Sequence, residues 1–519
     1  MELRAVRSRN TATIAIIAAV SAAAALVGPG ALPAIAAGGP SHGGSVTMDQ
    51  LGIEANLDPA IGGISAYPYS PAMEAVFGPG LAYILPSGKV VMGFAKSMTP
   101  SSNLKDWTVT LRPGLKFTDG TPFNAAAVAY NINRDKEPAL GSTYEKVAQG
   151  MKATVVDATT LKIALQSPNS QFPALMAADF GAIGSPTAIK KEGQNFGTKP
   201  VGAGPFILQN TVLNTSEHFV KNPNFYIKGQ PYLNSINLQS LTSYTQQVSA
   251  LETGSAQLAW SSNGQVFEQF RKAGVHVDAF PLQGPFFLAY NNKAAPFNNL
   301  LAREAVYYAL NRVGASNAWG PGNPVSETFF SKSSPLYNPV KWPAQNTAKA
   351  QQLFNQLASE GHPVSFNFML PQGYPTLGPY VQADLSSFKN VKVTVSTALV
   401  SQYVTDLQKG TYQMTGYGVS APSTEPFLTG LYQSNGPGNY ERWVDPKVDA
   451  ALNNYLATTD AAKQKADWQI VSTEITKQFP FIPTFQGETS LNWKPAKLGG
   501  VQPVWYGETP MWNELYLKG

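Results

Sequence analysis

Strands and helices alternate through this chain in a mixed α/β pattern, and 519 residues are too many for one simple core. Residues 107–112 (WTVTLR) alternate Trp107, Val109 and Leu111 with polar neighbours, as a half-buried strand does. Residues 125–134 carry helical spacing behind the cap Asn124. Residues 286–312 pass abruptly from a buried strand into a buried helix. An α+β first half and an alternating second half therefore enclose two or three cores, or one bilobed body.

The N-terminus has the form of an export signal. A basic segment 1–10 leads into an apolar run 13–27, then Gly28-Pro29-Gly30, then Ala34-Ile35-Ala36-Ala37 with small residues at a cleavage site. Retention as an uncleaved anchor is the other reading, although the run is short and Ala-rich for a span. A first strand follows at 45–48, and Leu57-Asp58-Pro59 closes the loop after it. Pro113-Gly114 turns strand 107–112 into 115–117 as a hairpin. Val128, Ala129 and Ile132 face inward on helix 125–134, and a second hairpin joins 153–156 to 161–165. The Gly-rich run 200–206 (PVGAGPF) lacks the Lys and Ser/Thr of a phosphate loop, and Pro205 blocks the helix start such a loop needs. A strand at 236–238 and a helix at 246–253, stopped by Gly254, complete the first half.

Residues 286–290 are a continuous apolar and aromatic run bounded by Gly284-Pro285 and Asn291-Asn292. After Pro296, Asn298 or Asn299 caps a helix in which only Arg303 and Glu304 want water. This Asn-rich joint reads either as a crossing between lobes or as an ordinary core strand and helix. Helices at 347–359, 446–458 (Asp445 cap, Pro446 at the first position) and 461–478 (Asp460 cap) then alternate with strands at 364–370 and 391–395.

Charged residues are 13% of the chain and the net charge is +5, to which Arg4, Arg7 and Arg9 against Glu2 contribute through the signal. No basic run marks a nucleic-acid partner. The absence of cysteine excludes disulfides, thiol catalysis and a lipid-modified N-terminal Cys. No nucleophile elbow, zinc helix or paired-carboxylate motif occurs, and His42, His218, His276 and His362 lie far apart in sequence. Nine Trp and 22 Tyr suit the aromatic wall of a binding cleft as well as they suit a core.

Read together, seven stretches resemble the extracytoplasmic solute-binding proteins of ABC transporters, in the peptide- and nickel-binding family. They are 107–131 (WTVTLRPGLKFTDGTPFNAAAVAYN), 200–206 (PVGAGPF), 222–226 (NPNFY), 251–257 (LETGSAQ), 290–312, 439–452 (NYERWVDPKVDAAL) and 479–485 (FPFIPTF). The resemblance implies a bilobed, periplasmic-binding-protein-like fold with two hinge crossings and an extra N-terminal subdomain. After the signal 1–37, lobe I would combine 43–66, 201–287 and 483–519, with 67–200 as the added subdomain, and lobe II would run over 288–482. Tyr290, Asn291 and Pro483 would lie in the hinge.

The function implied is capture of peptides outside the cytoplasm by hinge closure, by a monomer without cofactor or catalysis. Delivery would be to membrane permease subunits driven by cytoplasmic ATPases. Another solute (an oligosaccharide, an opine-like compound or a metal chelate) is the alternative, and a secreted enzyme or cell-wall interaction protein on the same fold is the third reading. In the dipeptide-binding branch a G-W-x-x-D segment supplies a carboxylate for the peptide ammonium. The matching segment here is Gly416-Tyr417-Gly418-Val419-Ser420, and Ser420 carries no charge. Glu425, five residues on, is a candidate substitute. The branch's Arg for the peptide carboxylate is also missing, since Pro375-Thr376 precede Gln382-Ala383-Asp384. The residues expected to line the cleft are Tyr417, Ser420, Trp260 in the loop after 251–257, Glu425, Trp443 and Asn56.

Overall fold

In a computed structural model, the described residues are 39–519 apart from 51, 55, 62–69, 242 and 418–426. The export signal, the subdomain boundary at 66–67, Ser420 and Glu425 lie outside them.

Ten strands form the main sheet, in the order Val391–Ala398, Val364–Pro371, Met414–Tyr417, His276–Tyr290, Phe481–Trp493, Leu258–Ser261, Ser45–Gln50, Ser235–Ser240, Ser216–Lys221 and Phe206–Val212. Two parallel groups stand in it. Ser45–Gln50 lies between Ser235–Ser240 and Leu258–Ser261, and Val364–Pro371 lies between Val391–Ala398 and Met414–Tyr417. The antiparallel pair His276–Tyr290 and Phe481–Trp493 joins them.

The first of those strands is 15 residues long, whereas the continuous apolar run and its bounding residues predict only its last five. Its register shifts between Pro281 and Pro285 and again before Phe287. Proline donates no ladder hydrogen bond, so a strand interrupted by Pro281, Gly284 and Pro285 reads as two pieces in sequence.

A second sheet of four strands, in the order Ala95–Pro100, Asp106–Leu111, Thr160–Leu165 and Met151–Val155, belongs to the chain between the first two main strands. The hairpin expected across Pro113-Gly114 does not form. Asp106–Leu111 is flanked by Ala95–Pro100 and Thr160–Leu165. Phe117 N–H instead donates to Thr121 O and Phe123 N–H to Leu115 O, which turns Leu115 and Phe117 into the core with Trp107 and Ile132.

Local signals hold where they are strongest. Asn124 Oδ1 accepts from Ala127 N and starts the helix Ala125–Arg134. Asn299 starts Leu300–Ala309, Asp445 starts Pro446–Leu456, and Asp460 starts Ala461–Gln478. The Gly-rich run 200–206 is a packing contact. A Cβ on Gly202 would stand 2.1 Å from Val76 O, and one on Gly204 2.5 Å from it, so only glycine lets the helix Pro71–Phe77 approach this closely.

One side chain is corrected outright. Arg303 was expected to face water, yet it is buried, with Nη1 donating to Phe297 O (2.7 Å) and Nε to Gln478 O (3.0 Å). Burial lowers its pKa to about 10.

Candidate binding cleft

In parallel sheets, ligands lie beyond the carboxyl ends of the strands. Here those ends are Gln50, Ser240 and Ser261 in one group and Pro371, Ala398 and Tyr417 in the other. Tyr374 lies three residues past Pro371, in the second group. Burial pushes the phenols of Tyr244 and Tyr403 up, and the nearby Tyr374 phenol adds to both shifts. Tyr244 opens the helix after Ser240, and Tyr403 belongs to the helix after Ala398.

An aromatic seam runs beneath. Phe286 and Phe485, from the two crossing strands, stack at 4.6 Å and 12°. Trp319 meets both edge-on at 5.6 and 5.5 Å, and meets Tyr374 at 6.2 Å. The turn after Trp319 reaches the other parallel group, where a Cβ on Gly264 would lie 2.3 Å from Gly322 O. It then follows the second crossing, with Gln486 N–H donating to Pro324 O and Ser326 N–H to Thr484 O. Rings from both crossing strands and from Trp319 and Tyr374 thus pack between the two parallel groups.

The expected hinge residues are tightly bonded. Tyr290 is fully buried, stacked on Phe297 at 4.3 Å, and donates its hydroxyl to Arg303 O. Asn291 Nδ2 donates to Gly410 O and Tyr412 O, both at 2.9 Å. Pro483 stands opposite Phe287 in the ladder. Asn292, which bounds the apolar run in sequence, donates through both N–H and Nδ2 to Glu441 O, and through Nδ2 to Pro480 O. It therefore ties the first crossing to the residue just before the second.

The expected cleft residues divide. Tyr417 ends its strand half-buried, edge-on to Phe287 and Tyr440 at 5.7 Å each. Trp260 lies in the strand Leu258–Ser261 and not in a loop, paired with Leu491. Its ring packs on the first-half core while its Nε1 is buried without a hydrogen-bond partner. Asn56 makes a local turn, its Oδ1 accepting from Asp58 N at 2.8 Å, with Gly197 packed against it. Trp443 is in the second-half core, its Nε1 bonded to Gln478 Oε1 at 3.1 Å. Trp260→Ala is expected to weaken ligand binding in calorimetric titration and, because the ring packs on the first-half core, to lower the melting temperature of the empty protein as well.

Sequence reasoning passed over several buried carboxyls. Glu217 is 1% exposed with neither oxygen bonded, and burial, with the Glu54 charge behind it, pushes it up to about 9. Glu54 is raised by burial, against which Ser70 and Gln50 pull. Glu441, among Tyr403, Tyr412, Tyr432 and Tyr440, is pushed up to about 8 by burial, and neither of its oxygens is bonded. The signal was available for Glu217 and Gln50: alternation places them on the inward face with Phe219 and with Val46 and Met48.

Comparison with known proteins supplies the context. Residues 89–441 match the family model described as bacterial extracellular solute-binding proteins, family 5 Middle. The glutathione-binding protein GsiB of Shigella dysenteriae is 29% identical over 411 residues, which is 75% of this chain and 79% of that protein. Two solved structures share the fold. The periplasmic binding protein DppA from Helicobacter pylori in complex with the peptide STSA has a TM-score of 0.79 at 20% identity, covering 92% of this chain and 99% of that one. The binding protein AgaA from A. tumefaciens in complex with agropinic acid has a TM-score of 0.77 at 20% identity, with the same coverage.

Proposed function

The chain belongs to the bacterial extracellular solute-binding proteins of family 5, and from that premise we propose that it captures peptides and hands them to the permease of an ABC importer. Proteins of this family are the solute-binding components of such importers. The observation that carries the peptide reading is the seam of Phe286, Phe485, Trp319 and Tyr374 between the two parallel groups, with the turn after Trp319 bonded to the second crossing strand. A peptide backbone offers donors and acceptors in alternation and can be gripped along strand ends bordered by such a seam. The GsiB relative, named for a tripeptide, supports the same class.

In this reading residues 43–66, 201–287 and 483–519 form lobe I with 67–200 added to it, and 288–482 form lobe II. Ligand shifts an open population to a closed one about Tyr290, Asn291 and Pro483. Residues 1–37 direct export, and the protein acts as a monomer, with permease subunits and cytoplasmic ATPases as separate chains. Among the described residues no helix is long and apolar enough to cross a membrane.

The test is a thermal-shift screen of residues 38–519 against pooled di- to hexapeptides, oligosaccharides, opines and metal chelates. A ligand at 100 times its Kd stabilises by about 2.7 kcal/mol. Peptides are expected to raise the melting temperature. A response confined to opines, as the AgaA complex would suggest, or to sugars or chelates, would replace the peptide reading and leave the transport role standing.

A further inference from the structure

Buried polar atoms without hydrogen-bond partners stand on four residues near the carboxyl end of the first parallel group. Gln50 is 5% exposed and its Nε2 makes no hydrogen bond, and Glu217, 1% exposed, has both oxygens free. Glu54 Oε2 and Trp260 Nε1 are buried and likewise unbonded. The register puts three of them on one face. Met48 pairs with Leu238 and Leu258, and Leu238 with Glu217, so these side chains share a side of the sheet. Gln50 and Trp260, two residues beyond Met48 and Leu258, emerge on that same side. Glu54 follows on the loop, near enough to Glu217 for its charge to be felt there, with Gln50 beside it.

Native proteins rarely leave such groups unsatisfied. Four from separate stretches of chain, at a strand edge where ligands bind, point to an occupant. Its chemistry can be read from theirs. Two N–H donors do not suit a bare metal ion, and two carboxyls do not suit an anion. A group that donates several hydrogen bonds, carries positive charge and presents an acceptor next to it satisfies all four. An α-ammonium with its adjacent carbonyl is such a group.

We propose that Glu54 and Glu217 receive the terminal ammonium of a bound peptide, and that Gln50 Nε2 and Trp260 Nε1 donate to the first carbonyl. The inference rests on the peptide reading above and deepens it: this edge anchors the amino end, in a chain where Ser420 stands in place of the carboxylate expected in the other half.

The experiment is calorimetric titration of residues 38–519 with pooled tri- to pentapeptides carrying free amino ends, and with the same pools N-acetylated. The parent is expected to bind the acetylated pools about 10- to 100-fold more weakly, the loss of a charge-assisted contact. Glu217→Gln and Glu54→Gln should each shrink that difference to a few-fold. Trp260→Phe, which keeps the ring and removes the N–H, should weaken both pools alike. Equal binding of free and acetylated pools by the parent overturns the amino-end site and leaves peptide capture intact. Binding of neither pool overturns both. Should one Gln variant fail to fold, the other still decides, since the readout is the ratio between pools.

Discussion

The protein is expected to melt highest in mildly acidic buffer and to lose stability steadily as pH rises from 5 to 9. Burial holds Glu74 and Glu441 at about 8, Glu217 at about 9, Asp135 at about 7 and Asp49 at about 6. Each lies above the value of the same group in the unfolded chain. Between the two values the folded protein keeps a proton that the unfolded chain releases, so stability falls as pH climbs through that window. The contribution is whole below the unfolded value and is lost as pH passes the folded one. Glu74 and Glu441 each span roughly three units, which caps their separate effects at about 4–5 kcal/mol. Asp119 and Glu474 act in the opposite direction, being lowered by hydrogen bonds and, for Glu474, by Lys477 and Lys447 against an opposing burial effect. They lose stability as pH falls below the ordinary carboxyl range, which sets the acid side of the optimum. Thermal melts from pH 4 to 9 check the profile, and a flat line from 5 to 8.5 would refute it. Glu441→Gln should raise the melting temperature at pH 8.5 and leave it nearly unchanged at pH 5.

Arg134→Met is expected to cost about 3–5 kcal/mol, read as a lower urea midpoint at unchanged slope. Arg134 Nη1 and Nη2 donate to Asp58 Oδ1 and Oδ2 at 2.7 and 2.6 Å, and both residues are buried. Asp58 Oδ1 also accepts from Ala60 N, so the pair clamps the loop after Ser45–Gln50 to the end of helix Ala125–Arg134. Without the guanidinium, a buried carboxylate loses its counter-charge. Arg134→Met combined with Asp58→Asn should recover more than half of the loss, because the uncompensated charge and not the missing attraction dominates. If the double variant is as unstable as the sum of the singles, the clamp acts by packing alone.

Those two results concern groups whose partners lie 76 residues away or whose surroundings no local pattern reveals, which is also where reading the chain fell short. Arg303 looked like a solvent residue on an otherwise apolar helix, and became buried because the carbonyls of Phe297 and Gln478 converge on it. Trp260 looked like a loop residue because the strand Leu258–Ser261 is only four residues long and takes its partners from 45–50 and 481–493. The hairpin at Pro113-Gly114 failed because two other strands compete for the same edges. Glu217 and Gln50 stood on inward positions, yet alternation alone does not show that they neighbour Glu54.

By itself the sequence determined the helices begun by Asn124, Asn299, Asp445 and Asp460, the half-buried strands, and, through ordered word strings, the family. Caps, turns and alternation act between residues within about four positions, so the chain carries them wherever it folds. Only the tertiary structure decided the order of the ten strands, the pairing of His276–Tyr290 with Phe481–Trp493, and the company each buried carboxyl keeps. Such contacts join residues roughly 200 apart, and their energies depend on desolvation and on partners that exist only once distant strands have met.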